Sequence, residues 1–403
     1  MHTRIATHHF FNPETQRALL EHGDGYVSKE EGMRDRLAFI EREYKPEHIA
    51  LLHLGQNPDG CAPELVEWAR DVVGQRDVRK YFADYPESLC NEFQLKLSAL
   101  HNVPRECITV SAGLDQLIAM IASSFIEQRD KFLVTSPGFF LFEEYSCRLG
   151  GVPVELNLQE SDGFIWTNSI LETFRGIVQT MDLKLIWIAN PNNPTGRLMP
   201  GDLLEEIIRI ARSRWITVVI DEAYGEYTDP SMGINSASRF LSKYENLIVL
   251  RTFSKAYGLA GLRIAYSLTC NSDILSALRV HSQYYPVARL SLDMANRALD
   301  FIGYLDKVRH VTKIRRETLS RCIFGMQGIS LLNSDSGIGM LRCDGIAAAD
   351  LSAGLEREGV IVAPVPGSGV AAREYIRLTY GRTEDLSWLA RGVGIVISKN
   401  DGF

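Results

Sequence analysis

Between Cys107 and Leu250 short apolar runs and longer amphipathic stretches take turns, and this alternation constrains the fold more than any single residue does. The runs Cys107–Val110, Phe132–Thr135, Val152–Leu156, Leu183–Ala189, Trp215–Ile220 and Leu247–Leu250 have the length of strands. The stretches from Leu114, around Phe140–Leu149 and over Leu203–Ser213 have the spacing of helices. Strands apolar throughout, separated by helices, predict an α/β fold with a mostly parallel sheet covered on both faces.

Further on, Leu290–Arg321 reads as a long helical connection. Gly339–Arg342, Gly359–Ala363 and Tyr375–Thr379 read as strands of a smaller α+β domain. The expected organisation is an arm or accessory segment over 1–50, helical around Met33–Tyr44, a large domain over 51–290 and a small C-terminal domain over 291–403. A chain of 403 residues, 45% apolar, can support that division.

Charge and cysteine content exclude several classes. A formal charge of -7 gives no general positive field for nucleic acid. The chain lacks the roughly 18 unbroken apolar residues of a membrane span, and Met1–Phe10 lacks the pattern of a secretion signal. Cys61, Cys90, Cys107, Cys147, Cys270, Cys322 and Cys343 show no CxxC or zinc-like spacing, so no metal site is expected. Reduced thiols and a cytoplasmic location are the expectation.

The chemistry is concentrated where predicted strands stop, the place where ligands bind in open α/β sheets. Asn190-Pro-Asn-Asn-Pro-Thr-Gly196 ends one run, Asp221-Glu-Ala-Tyr224 the next, and Arg251-Thr-Phe-Ser-Lys255 the third. A constrained Lys255 can anchor an aldehyde cofactor as an imine and act as general base. Asp221, after an apolar run, calls for a cationic partner such as a protonated pyridine nitrogen, although Glu222 is the neighbouring candidate. Asn193 or Asn192, and Tyr224, can donate to a ring oxygen. Thr252, Ser254, Arg263 and the backbone at Gly113, Leu114 and Asp115 can cup a phosphate. Phe139 can cover a ring, and Arg377 can grip a substrate carboxylate with two donors. Together these residues point to pyridoxal phosphate.

The order of Asn57-Pro-Asp-Gly60, Tyr85-Pro86, Asn190–Gly196, Asp221–Tyr224, Thr252–Arg263 and Arg377-Leu-Thr-Tyr-Gly381 resembles the fold-type I aminotransferases of class I/II, with the histidinol-phosphate aminotransferase group most similar. The resemblance spans about residues 51–395. It implies Lys255 as the Schiff-base lysine, Asp221 at the pyridine nitrogen, Asn193 and Tyr224 at the phenolic oxygen, and Thr252, Ser254 and Arg263 at the phosphate. It also implies Leu114 and Asp115 on the cofactor turn, Phe139 over the ring and Arg377 at the substrate carboxylate. Tyr85 would cross to the other subunit's phosphate, making a homodimer with shared sites, and Gly55 and Gln56 would line the substrate pocket, with Asn57 there or holding the turn.

The implied reaction is ping-pong amino transfer between an L-amino acid, or a phosphorylated amino compound, and a 2-oxo acid, with pyridoxamine phosphate carried between the halves. A decarboxylase, or a lyase acting on the side chain, is the alternative on the same scaffold. A non-catalytic binding or regulatory protein is the remote one. Two features depart from the group: Ser334-Asp-Ser-Gly-Ile-Gly-Met340 replaces an Ala-Asn-Phe-like entrance, and Pro364–Arg373 forms a Gly-rich loop.

Overall fold

The computed structural model describes residues 28–75, 77–87, 90–229, 236–367 and 369–400. Residues 1–27 of the expected arm, and Ser368 of the Gly-rich loop, lie outside the described residues. From residue 28 the arm forms the helix Ser28–Glu43, which starts earlier than expected.

The strands are β1 (Ala50–Leu51), β2 (Ile108–Ser111), β3 (Lys131–Ser136), β4 (Val152–Asn157), β5 (Leu183–Ala189), β6 (Thr217–Asp221), β7 (Leu247–Thr252), β8 (Ala265–Leu268), β9 (Ile329–Leu331), β10 (Ile338–Cys343), β11 (Val360–Ile361), β12 (Ala363–Pro364) and β13 (Tyr375–Thr379). Seven of them form a sheet in the order β2-β8-β7-β6-β5-β3-β4, and only β8 runs antiparallel to its neighbours. The mostly parallel α/β sheet expected from the alternation is therefore present.

The central strands are apolar throughout because both faces are covered, and the pleat sends alternate residues to opposite cores. Ile186, Ile188, Val218, Ile220, Leu247 and Val249 pack on one side. Leu185, Trp187, Val219, Ile248 and Leu250 pack on the other, where Trp187 stacks on Phe142 at 4.9 Å. The helix Gly201–Arg212 follows Pro200 and buries Leu203, Leu204, Ile207, Ile208 and Ala211, the i, i+3, i+4 stripe of a helix lying on a sheet.

The smaller body is an antiparallel sheet, β12-β13-β10-β9, packed with the helices Ala348–Arg357 and Thr383–Asn400. Ala50 and Leu52 belong to its core, and β1 pairs with β11, so the chain passes through the smaller body before building the larger one. The expected single connection is two helices, Arg289–Ala298 and Gly303–Cys322, separated by one tight turn. β8 and β9 were not expected. The expected reduced state also fails for two cysteines: a disulfide joins Cys107 and Cys270, whose Cα atoms lie 4.7 Å apart. The antiparallel β2–β8 pairing brings them together, with Cys107 just before β2 and Cys270 just after β8. Among the described residues no helix is long and apolar enough to cross a membrane, and no cluster of metal ligands occurs.

Candidate active site

β5 ends at the Asn190–Gly196 turn, β6 on Asp221 and β7 on Thr252, so neighbouring parallel strands deliver the expected chemistry to one edge of the sheet. Lys255, three residues beyond β7, donates from Nζ to the Leu54 carbonyl at 3.1 Å, and its Nζ sits 5.3 Å from the Tyr224 ring centroid. From β13, Arg377 donates to the preceding carbonyl, that of His53, and to Asn193 Oδ1 at 3.1 Å. An amine from the larger body and a guanidinium from the smaller one thus hold consecutive carbonyls of one segment. Burial, and then the charge of Arg377, push the His53 imidazole down, which favours its neutral form beside that guanidinium.

Asp221 is 4% exposed, and its carboxylate accepts from the Ala223 amide at 2.9 Å. Burial pushes its carboxyl up to about 7 against the opposing pulls of the Ala223 amide and then of Lys255. A carboxylate in such surroundings calls for a cation, as a protonated ring nitrogen would supply. Glu222 is engaged elsewhere: it accepts from Ser236 Oγ and the Ala237 amide and pairs with Arg251 at 2.9 Å. Asn192 is also engaged, accepting from the Thr195 amide and donating to the Pro137 carbonyl, while Asn193 meets Arg377.

The residues expected at a phosphate also converge. Gly113, at φ +93°, opens the helix Leu114–Phe125, whose first-turn N–H groups have no partner within the helix. A Cβ on Gly113 would lie 2.4 Å from Arg263 Nη2, so only glycine lets the guanidinium lie against this helix start. Arg263 reaches Asp115 at 3.4 Å, and the Thr252 and Ser254 hydroxyls lie 3.0 Å apart. Two hydroxyls, a guanidinium and a helix N-terminus suit a dianion, so this donor set fits the phosphate of pyridoxal phosphate, as Asp221 fits its ring nitrogen.

Phe139 stands edge-on to Phe142, itself stacked on Trp187, at the start of the helix Phe140–Arg148. Gly55, at φ +64°, donates its amide to Thr379 Oγ1 at 2.8 Å. Gln56 is exposed, and Asn57 holds the turn through Ala256, Tyr304 and Asp59. Tyr85 is 75% exposed and stacks on Tyr285 at 4.6 Å. The carbonyls of His53 and Leu54, the Thr379 hydroxyl and the buried Glu222–Arg251–Glu226 cluster were not anticipated. A carbonyl contact leaves no side-chain signature, but charges inside apolar runs were a readable signal for the cluster.

The model of the family described as aminotransferase class I and II matches residues 47–392. The chain belongs to the class I and II aminotransferases. Among curated relatives of this aminotransferase, the histidinol-phosphate aminotransferase of Ruminiclostridium cellulolyticum is 31% identical over 76% of this chain and 81% of its own. That of Caldicellulosiruptor saccharolyticus is 30% identical over 86% and 91%. The fold matches the solved histidinol-phosphate aminotransferase of Sinorhizobium meliloti in complex with pyridoxal-5'-phosphate, at TM-score 0.77 and 23% identity over 90% of this chain and 94% of that one. The fold-type I architecture and the aminotransferase class expected from the motifs are thereby established.

Proposed function

We propose that this aminotransferase uses pyridoxal phosphate to move an amino group from an amino donor bearing a carboxylate or phosphate to a 2-oxo acid. The carrying observation is the meeting of Lys255 and Arg377 on the consecutive carbonyls of Leu54 and His53, beside the buried Asp221. It pairs a nucleophilic amine with an anion grip.

When bound, the cofactor supplies an electron sink for the substrate Cα. Asp221 holds the proton on the ring nitrogen. Asn193 and Tyr224 donate to the ring oxygen, and Thr252, Ser254, Arg263 and the amides from Gly113 hold the phosphate, with Asp115 orienting Arg263 and Phe139 excluding water. Lys255 Nζ takes the proton from the donor Cα and returns it later in the cycle. Arg377 fixes the anionic group, with Gly55 and Gln56 at the pocket wall. Asn193 links the two ends.

Tyr85 supports a homodimer in which it reaches the partner's phosphate. It is exposed here together with Tyr284, which is 90% exposed, and Val280. Sedimentation of the holoenzyme checks this: a monomer at assay concentration rejects it.

Titration of purified holoenzyme with single amino donors tests the main reading. Conversion of the cofactor to pyridoxamine phosphate with one equivalent of 2-oxo product is expected. Carbon dioxide or a side-chain fragment, with the cofactor unchanged, would overturn it.

A further inference from the structure

We propose that the cleft between the helix Gly303–Cys322 and the segment joining β9 to β10, closed at one edge by Arg197 from the loop following β5, is a second anion site, built to take the phosphoryl group of a small molecule and tie the two bodies together. The cleft has a volume of about 860 Å³. Arg197, Lys313, Arg316 and Arg321 line it against two carboxylates, Glu317 and Asp335. An excess of cations is unusual in a chain of net charge -7. None of these residues belongs to the set gathered around Lys255.

The placement follows from helix geometry. Arg309, Lys313 and Arg316 are spaced i, i+4, i+7, which puts them on one stripe. Lys313 and Arg316 also border an adjoining cavity of about 300 Å³, lined as well by Arg309, Asp229, Asp306 and Asp335, in which Arg309 is already held by Asp306 and the Glu226 carbonyl. Arg315, on another face, pairs with Asp59 at 2.8 Å instead. Arg197 comes from the larger body, one residue beyond the Asn190–Gly196 turn.

The cations are only partly neutralised. Arg197 comes no nearer to Asp335 than 3.8 Å, beyond hydrogen-bond distance. Arg316 donates to the Ser334 carbonyl, an uncharged partner. Arg321 donates to the Glu317 carbonyl and the Thr318 hydroxyl. The side-chain amine of Lys313 makes no hydrogen bond or ion pair among the described residues. One carboxylate would satisfy one guanidinium fork, whereas a phosphoryl dianion offers three oxygens and suits several cations at once. The volume leaves room for an organic group against Leu331, Leu332 and Tyr380.

The seam is mechanically connected to the catalytic edge. The Asp335 amide donates to the Gly196 carbonyl at 2.8 Å, and Asp335 Oδ2 accepts from the Leu198 amide at 3.0 Å. An anion bridging Arg197 to Lys313 and Arg316 would add a second tie across the same joint, four residues from Asn193.

The test is calorimetric titration of the holoenzyme, whose cofactor phosphate already fills the catalytic cup, with inorganic phosphate and with glycerol phosphate. Chloride at equal ionic strength is the control. Lys313→Glu changes an exposed, unpaired side chain and should leave folding intact; Lys131→Glu makes the same charge change at the exposed start of β3. Saturable binding at one phosphate per chain is expected, weakened at least tenfold in Lys313→Glu and unchanged in Lys131→Glu. Tighter glycerol phosphate would identify an organic phosphate as occupant, and equal affinities would identify free phosphate. Equal binding in all three proteins, a matching response to chloride, or phosphate that only competes with the amino donor would each overturn the proposal.

Discussion

The guanidinium of Arg377 donates to the side-chain oxygen of Asn193 at 3.1 Å, joining the group proposed to grip the substrate to the group proposed to touch the cofactor ring. A substrate anion that captures this fork would compete with that bond. On the proposed roles, the electronic state of the site would follow occupancy of the substrate pocket.

Arg377→Ala removes two charge-assisted donors, each worth about 1.5–3 kcal/mol, so kcat/KM for the amino donor should fall by roughly 100-fold or more. Arg377→Lys should recover little, because a lysine ammonium lacks the planar fork. Steady-state kinetics against donor concentration measures both. In the same variants the pH at which the cofactor absorbance changes should move, since Asn193 is released; an unmoved spectrum would detach Arg377 from the ring.

For Asp221 the sign of the pH dependence follows from its raised folded-state value of about 7. An unfolded aspartate releases its proton near pH 4, so between about pH 4 and 7 the folded chain holds the extra proton. Stability of the cofactor-free protein should therefore fall as pH rises through that window, by at most about 1.4 kcal/mol per pH unit from this group. Asp221→Asn should remove this part of the slope, and saturating pyridoxal phosphate should reduce it by giving the carboxylate a cation. Urea denaturation at several pH values, wild type against variant, reads the difference.

Much of this site was legible because strand ends carry recognisable punctuation. Asn190–Gly196, Asp221–Tyr224 and Arg251–Lys255 each follow an apolar run, and a parallel sheet must bring such ends to one edge. What could not be read was pairing at a distance. Cys107 and Cys270 are 163 residues apart and meet only because β8 turns back beside β2. β8 itself was missed, its four residues Ala265-Tyr-Ser-Leu268 being too short and mixed to stand out. β1 was readable as an apolar run, but its partner β11 lies over 300 residues away, so its place in the smaller body was hidden.

Gly55 tests the fit between the N-terminal segment and Tyr224. A Cβ there would stand 2.3 Å from the Tyr224 hydroxyl, and the φ of +64° disfavours any other side chain. Gly55→Ala should cost about 1–3 kcal/mol of stability and displace the ring. The melting temperature should drop by several degrees, and kcat should fall by roughly tenfold or more through the displaced hydroxyl. A variant with wild-type kinetics would remove Tyr224 from the reaction.

Arg251, next to the last residue of β7, lies between two buried carboxylates. It pairs with Glu222 and Glu226, each at 2.9 Å, and all three side chains are largely withdrawn from water. Even with this partner, burial keeps the Glu226 carboxyl above its usual range. Arg251→Met would leave two carboxylates buried without a cation, a change that costs about 3–5 kcal/mol in comparable pairs. Arg251→Met/Glu226→Gln should be milder than the single variant, because one of the stranded charges is gone. The comparison is made by chemical denaturation at pH 7. If the double variant were the less stable of the two, the cluster would be acting through packing, and the charge account of the strand ends would fail.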